Sequence, residues 1–356
     1  MQYGAPGTEF SGYADGVYVG DGPLGPFEYQ SHNPFSYKPG GFARGAGHGA
    51  TFQDNKEQYW HVSTIGICVK NNFERRLGIW PAGFDKDGIM FSNTAYGDYP
   101  TYLPSQNKNH LNENFAGWML LNYNKPVQVS STLGGYQPNF AVNEDIKTYW
   151  SAKTANKGEF IISDLGEMST VNAIQINFAD QDADIMGKPE TTTGHKYILY
   201  ASNDGKNWKT IVDKSKSTKD VPHEYIELQS PIRTRFLKLE NIQMPTGKFA
   251  LSGFRVFGNG SGEKPQAVKN FIPLRSGPKV EGERRNVWFK WQQEPSADGY
   301  VIYFGKSPDK LYGSIMVYGK TEYYFNGLDR SDVYYFQIEA FNNNGIGPKS
   351  EIKKSE

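Results

Sequence analysis

Residues 196–208 read Lys196-Tyr197-Ile198-Leu199-Tyr200-Ala201-Ser202-Asn203-Asp204-Gly205-Lys206-Asn207-Trp208. The aromatic and aliphatic run up to Ala201 has the composition of a strand. Asn203-Asp204-Gly205 then supplies a hairpin turn, because Asp-Gly tolerates the positive φ that a tight reversal demands. Trp208 is thereby folded back onto the strand just left. The same pattern repeats outward. Glu159-Phe160-Ile161-Ile162-Ser163-Asp164-Leu165-Gly166 is a strand ending in a turn, and Ala173-Ile174-Gln175-Ile176-Asn177-Phe178 is another. Thr234–Leu239 and Phe254–Gly258 close the block, and Ala141–Ser151 places an acidic, polar loop ahead of Trp150.

The composition agrees with that reading. Aromatics make up 15% of the 356 residues and charged side chains only 21%, with 39 Gly and 20 Pro. Aromatic strands punctuated by turn residues give an all-β expectation, and they exclude a coiled coil or a disordered chain. Lys+Arg and Asp+Glu both number 38, so no net charge favours a nucleic-acid partner. No run approaches ~18 apolar residues, so no membrane span is expected. The single cysteine, Cys68, lies in the apolar run Ile65–Val69 and reads as a small buried hydrophobe; no internal disulfide can form. Asp180-x-Asp182-x-Asp184 resembles the start of a calcium loop. Ile185 stands where the sixth-position Gly belongs and Thr191 where the twelfth-position acid belongs, so an EF-hand is excluded.

At ~100–200 residues per domain, this length predicts two or three domains. Composition shifts at the polar, Asn-rich stretch 105–114 and at Asn259-Gly260-Ser261-Gly262-Glu263-Lys264-Pro265. The expected blocks are therefore 1–104, a connector at 105–114, 115–258, a linker at 259–266, and 267–356. The last block carries short alternating segments such as Val287-Trp288-Phe289-Lys290-Trp291, Gly299–Tyr303 and Tyr334–Asn342. It resembles a fibronectin type III domain, with Trp291 in the core of the second strand and Tyr334 at the tyrosine corner. That resemblance implies a β-sandwich spacer without chemistry of its own.

The middle block contains Asp145-x-x-Thr148-x-Trp150 and Ser202-x-Asp204-Gly205-x-x-Trp208. In this order they resemble the discoidin-like domain (coagulation factor V/VIII type C), the β-sandwich jelly roll of carbohydrate-binding module family 32. The resemblance implies that Asp145 and Thr148 help hold a structural calcium. A further ligand in the family is a Glu of the last strand, where this chain has Gly253, so calcium stays an open expectation. It also implies glycan binding on an aromatic platform, for which Tyr136 and Phe140 are the candidates. Packing of both rings inside the protein is the alternative.

The first block carries the segment Gly16–Phe27, Gly45-Ala46-Gly47-His48-Gly49-Ala50, Tyr59-Trp60-His61-Val62, Phe73-Glu74-Arg75-Arg76 and Pro81–Gly88. It resembles the last blades of the five-bladed propeller of glycoside hydrolase family 43. The resemblance implies inverting hydrolysis of arabinosyl and xylosyl linkages, which needs two carboxylates about 6.5–9.5 Å apart. In the family those acids lie in earlier blades, so this chain is expected to be a C-terminal part of such an enzyme without its catalytic residues. Glu9 is not the general acid by this reading. Glu9, His48, Arg75 and Arg76 are expected to rim one mouth of the sheet as substrate-binding groups, with His48 also near an axial calcium. His61 and Asp98 read as structural. The partner implied is a plant-type polysaccharide or oligosaccharide, and the domain types imply a secreted, periplasmic or cell-surface protein. The competing reading is a non-catalytic carbohydrate-binding or adhesion protein built on the middle block.

Overall fold

The computed structural model describes residues 1–5, 7, 12–67, 69, 75–103, 111, 114–184, 194–275 and 284–355. Cys68 and Glu9 lie outside them. The fold is all-β, and no helix among the described residues is long and apolar enough to cross a membrane. The residues form two compact units. One comprises Met1–Ile67, Asn72–Ala116 and Lys264–Glu356, and the other Cys68–Asn71 and Gly117–Glu263.

In the first unit, Gln2–Ala5 (β1), Ala14–Gly20 (β2), Phe27–Tyr29 (β3) and Ser36–Tyr37 (β4) form an antiparallel group centred on β2. Arg44–Gln53 (β5), Tyr59–Gly66 (β6), Arg75–Phe84 (β7) and Met90–Ser92 (β8) form a meander. A parallel bridge between Ala14 and Ala46 joins the two groups. The fully buried His61 locks that junction. Its Nε2 donates to Asp15 Oδ2 at 2.8 Å, and its Nδ1 accepts from Thr51 Oγ1 at 3.0 Å. His61 thus fills an interior polar gap, as its strand position suggested. Asp98 is likewise interior, accepting from Phe42 N and pairing with Lys38 Nζ at 3.1 Å.

The second unit contains Met119–Leu120 (β9), Val127–Val129 (β10), Trp150–Ser151 (β11), Phe160–Phe178 (β12), Lys196–Ser202 (β13), Lys209–Asp213 (β14), His223–Gln243 (β15) and Ala250–Asn259 (β16). The first half of β12 pairs with β10 and with the second half of β15, whereas its second half pairs with β16 and the first half of β15. Register shifts between Asp164 and Ser169 and between Val171 and Ala173 mark the change. Such bulges bend a strand and increase its twist, so two long strands serve both layers of a sandwich. One core fills it, including Trp150, Ile161, Ile176, Leu199, Leu239, Phe249 and Phe254. The Trp150 ring meets Phe249 edge-on at 5.5 Å. The Asn-Asp-Gly hairpin forms as expected between β13 and β14. Gly205 sits at φ 71°, its N–H donates to Ser202 Oγ at 3.0 Å, and Asp204 Oδ1 accepts from Lys206 N and Asn207 N.

The remainder of the first unit is a second sandwich. Ile272–Leu274 (β17), Val287–Lys290 (β18) and Glu322–Phe325 (β21) form one sheet. Gly299–Gly305 (β19), Gly313–Tyr318 (β20), Tyr335–Asn342 (β22), Gly345–Ile346 (β23) and Lys353–Lys354 (β24) form the other. Trp291, Phe289, Ile302 and Phe336 share its core, and Tyr334 Oη accepts from Asp329 N at 3.0 Å. This sandwich, read in the sequence as a spacer, packs onto the N-terminal strands. Phe91 stacks on Tyr312 at 4.3 Å, Tyr99 Oη meets Tyr318 Oη at 2.6 Å, and Tyr312 Oη donates to Asp85 Oδ2 at 2.8 Å.

At the centre of that packing Glu339, only 4% exposed, accepts from Tyr96 Oη at 2.9 Å and Tyr303 Oη at 2.8 Å. Burial pushes its carboxyl above the ordinary value of 4.5, and the two hydroxyls offset this only in part. A carboxyl raised in the folded state stabilises it fully below the unfolded pKa, and that contribution is lost as pH rises through the folded value. Glu339→Gln keeps an acceptor for both hydroxyls and removes the ionisation. Melting curves as a function of pH should therefore show a flatter decline above pH 4.5 for Glu339→Gln, with Tm at pH 7 equal to or above the native value. A lowered Tm at pH 7 contradicts this.

Candidate functional site

The strand layout of the second unit sends the connections after β10, β11, β12, β14 and β15 to one end of the sandwich. There Tyr149, Ala179 and Ala250 form a small cluster on which Tyr136 and Val69 pack. The Tyr136 and Tyr149 rings lie 4.7 Å apart at 31°. Tyr149 Oη donates to Gln181 Oε1 at 2.6 Å, and Gln181 Nε2 donates to Asp182 Oδ1 at 2.7 Å. Asp182, with φ 54° and a carboxylate more than half exposed, pairs with Lys248. Lys248 N donates to Gln181 O at 2.8 Å and Asp184 N to Thr246 Oγ1 at 3.0 Å, binding the loop after β12 to the loop after β15. Gly247 is required at this contact: it sits at φ 68°, and a Cβ would lie 2.5 Å from Gln181 O. Burial, then the Tyr136 hydroxyl and the Asp182 and Asp180 charges, hold the Tyr149 phenol far above its ordinary value, so it stays a donor. Tyr149 and Gln181 are themselves buried, at 7% exposure each, so what reaches the surface here is the half-buried Tyr136 ring with the Asp182 carboxylate and the Lys248 ammonium.

Of the two aromatic candidates, the structure brings Tyr136 into this group. Phe140 lies half-buried in the 3-10 turn Pro138–Ala141, and Tyr149 is the ring that faces Tyr136. Tyr149 was legible as a residue between Thr148 and Trp150 but carried no signal of its own. Asp145 and Thr148 sit in a tight loop that satisfies itself. Asp145 O accepts from Thr148 N and Thr148 Oγ1, Asp145 Oδ1 accepts from Lys147 N, and Thr148 Oγ1 accepts from Asn143 Nδ2 at 2.9 Å. Calcium needs about six to eight oxygens. Among the described residues no three His, Cys, Asp or Glu side chains converge. Asp145 and Thr148 by themselves do not make up such a set.

In the first unit, Glu9 lies outside the described residues. His48 is exposed at φ 55°, bulged from β5 between Gly47 and Ala50 where the register with β6 shifts. Beside it Gly49 N donates to Asp15 Oδ2 at 2.9 Å. Arg75 is half-buried at the start of β7 opposite Gly66, which also pairs with Arg44. Arg76 is exposed and its Nη1 turns back to Arg75 O at 3.1 Å. The starts of β2, β5 and β7 thus share one end of the sheet, where Arg75 and Arg76 stand, whereas His48 bulges midway along β5. Tyr13, which the sequence reading missed, belongs with them. Its phenol is raised by burial and by Asp15, and lowered by Arg75.

Residues 126–253 match the F5/8 type C domain family. No curated protein matches the chain. Among solved structures, chitosan-binding module 1 of a chitosanase/glucanase from Paenibacillus sp. IK-5 is 22% identical. That match covers 39% of this chain and 99% of the module, with a TM-score of 0.33. The family 32 module of NanJ from C. perfringens, solved with galactose, is 17% identical over 39% of this chain and 98% of its own, at TM-score 0.33. A glycoside hydrolase is 20% identical over 72% of this chain and 56% of its own, at TM-score 0.38, so this chain spans just over half of that one. The second unit carries an F5/8 type C domain.

One carboxylate braces the candidate end. Glu159 accepts from the hydroxyls of Ser130, Ser131 and Thr154, tying the loop after β10 to the loop before β12. Burial raises its carboxyl, but the three hydroxyls outweigh it and hold it below the ordinary 4.5. A depressed carboxyl contributes stability above its unfolded pKa and loses it as pH falls through the folded value. Glu159→Gln should therefore lower Tm at pH 7. Acid titration of native and variant melts should show the gap closing below about pH 4; a constant gap contradicts the assignment.

Proposed function

We propose that the loop end of the second unit binds glycan. The half-buried Tyr136 ring, backed by the buried Tyr149 and linked through Gln181 to the exposed Asp182 and to Lys248, carries the reading. A pyranose presents an apolar C–H face to a ring and hydroxyls that both donate and accept, and this end offers both kinds of partner within a few side chains. The match to the F5/8 type C domain supports the assignment. The sugars proposed are arabinose- and xylose-containing plant-type polysaccharides or oligosaccharides, met outside the cytoplasm as a secreted, periplasmic or cell-surface protein. Calorimetric titration of the chain with arabinoxylan fragments should show saturable binding. Tyr136→Ala should weaken it about tenfold, a loss of roughly 1.4 kcal/mol, with little change in Tm. Unchanged affinity in the variant, or no uptake across a glycan panel, overturns the reading.

A second reading rests on the rim of the first unit. An exposed His48 held at positive φ is a strained feature of the kind that gathers at functional sites, and it follows Gly47, against which the Tyr13 ring packs. We propose that this rim contacts substrate in a family 43-like glycoside hydrolase of which this chain is a C-terminal portion. The complete enzyme would hydrolyse O-glycosyl bonds with inversion, which takes two carboxylates. At the rim, the carboxylate of Asp15 is committed to His61 and to Gly49 N. This chain alone is expected to release no aryl alcohol from aryl arabinofuranosides or xylosides; measurable turnover overturns that assignment.

A further inference from the structure

We infer that Arg255 is the resident cation of the loop 143–148, so that this loop and the end it supports keep their shape without calcium. The loop reverses at Glu144, a non-glycine residue at φ 60°, a conformation that persists only where surroundings hold it. What holds it is β16. Arg255 Nε and Nη2 donate to the two Glu144 carboxylate oxygens at 2.9 Å each, with side chains 1% and 2% exposed. The guanidinium is itself fixed, donating from Nη1 to Gln175 Oε1 at 2.7 Å and lying 4.8 Å from the Phe257 ring centre. Fork-on-fork pairing of this kind fixes direction as well as charge. Arg255 also lies on the same face of β16 as Gly253, two residues away, since strand side chains alternate. A divalent ion beside this buried guanidinium would meet like charge, while Asn143 Oδ1, Asp145 Oδ1, Asp145 O and Thr148 Oγ1 already accept from the loop's own N–H and O–H groups. Tyr149 follows the loop directly, so the pair positions the ring that faces Tyr136. That last step rests on the glycan reading; the calcium step does not.

The test uses the full chain. Native Tm should be the same within about 1 °C in EDTA and in about 10 mM calcium, above the Kd range of extracellular calcium modules. A rise of several degrees with calcium overturns the inference. Arg255→Met and Glu144→Gln should each lower Tm. The double variant should lose less than the sum, because breaking one partner strands a buried charge and removing both does not. Strict additivity overturns the pairing. Arg255→Lys should recover part of the Tm but not the two-pronged geometry. For positioning, Arg255→Met should weaken arabinoxylan fragment binding at a temperature where the variant is fully folded, and Arg255→Lys should restore part of it. Unchanged affinity there overturns the positioning role. If the native chain binds no glycan, the glycan reading fails while the calcium and Tm results still decide the role of Arg255.

Discussion

The bulges of β12 and β15 are the constraint on which the second unit depends. Each strand enters the sandwich in one layer and leaves in the other, so both layers share their central strands and one core. With that arrangement the connections between layers must emerge together. The loop before Trp150, the loop after Phe178 and the loop after Gln243 then meet, and Tyr136, Tyr149, Gln181, Asp182 and Lys248 become neighbours. The candidate end is a consequence of strand crossing rather than of any local motif.

Buried polar groups do the positioning in both units, and in each case they are paired. Glu144 with Arg255 fixes the turn ahead of Tyr149. Glu159 with three hydroxyls fixes the loops on either side. His61 with Asp15 fastens the two strand groups of the first unit, and Glu339 with two tyrosines lies where the C-terminal sandwich meets those strands. A buried polar atom without a partner costs far more than a made hydrogen bond gains. Such groups therefore specify one arrangement more sharply than apolar contacts of similar area. The opposite pKa directions of Glu159 and Glu339 follow from the same balance: three hydroxyls and the Thr154 N–H outweigh burial in one, whereas two hydroxyls and the Lys349 charge do not in the other.

Much of the fold was legible because short-range rules governed it. The Asn203-Asp204-Gly205 hairpin follows from turn chemistry within a few residues. The candidate site was legible only in part. Tyr136 could be named because it precedes a recognisable motif. Tyr149 could not be told from a core aromatic, and Phe140 could not be told from a site aromatic, because ring chemistry does not reveal which way a loop turns. The family resemblance implied an ion at Asp145 and Thr148; the partner of the neighbouring Glu144, Arg255, lies 111 residues away in β16, beyond the reach of any local pattern.

By itself the sequence determined an all-β chain, turns such as Asn203-Asp204-Gly205, and which alternate side chains of a strand share a face. Alternation, glycine and proline act through backbone dihedrals and the faces of a strand, and these are local. Tertiary structure decided what each buried face meets. It set the C-terminal sandwich on the N-terminal strands through Tyr96 and Glu339, 243 residues apart, and it gave Glu144 an arginine partner. Those choices depend on shape and charge matching between surfaces formed only after the strands assemble, so no window of sequence contains them.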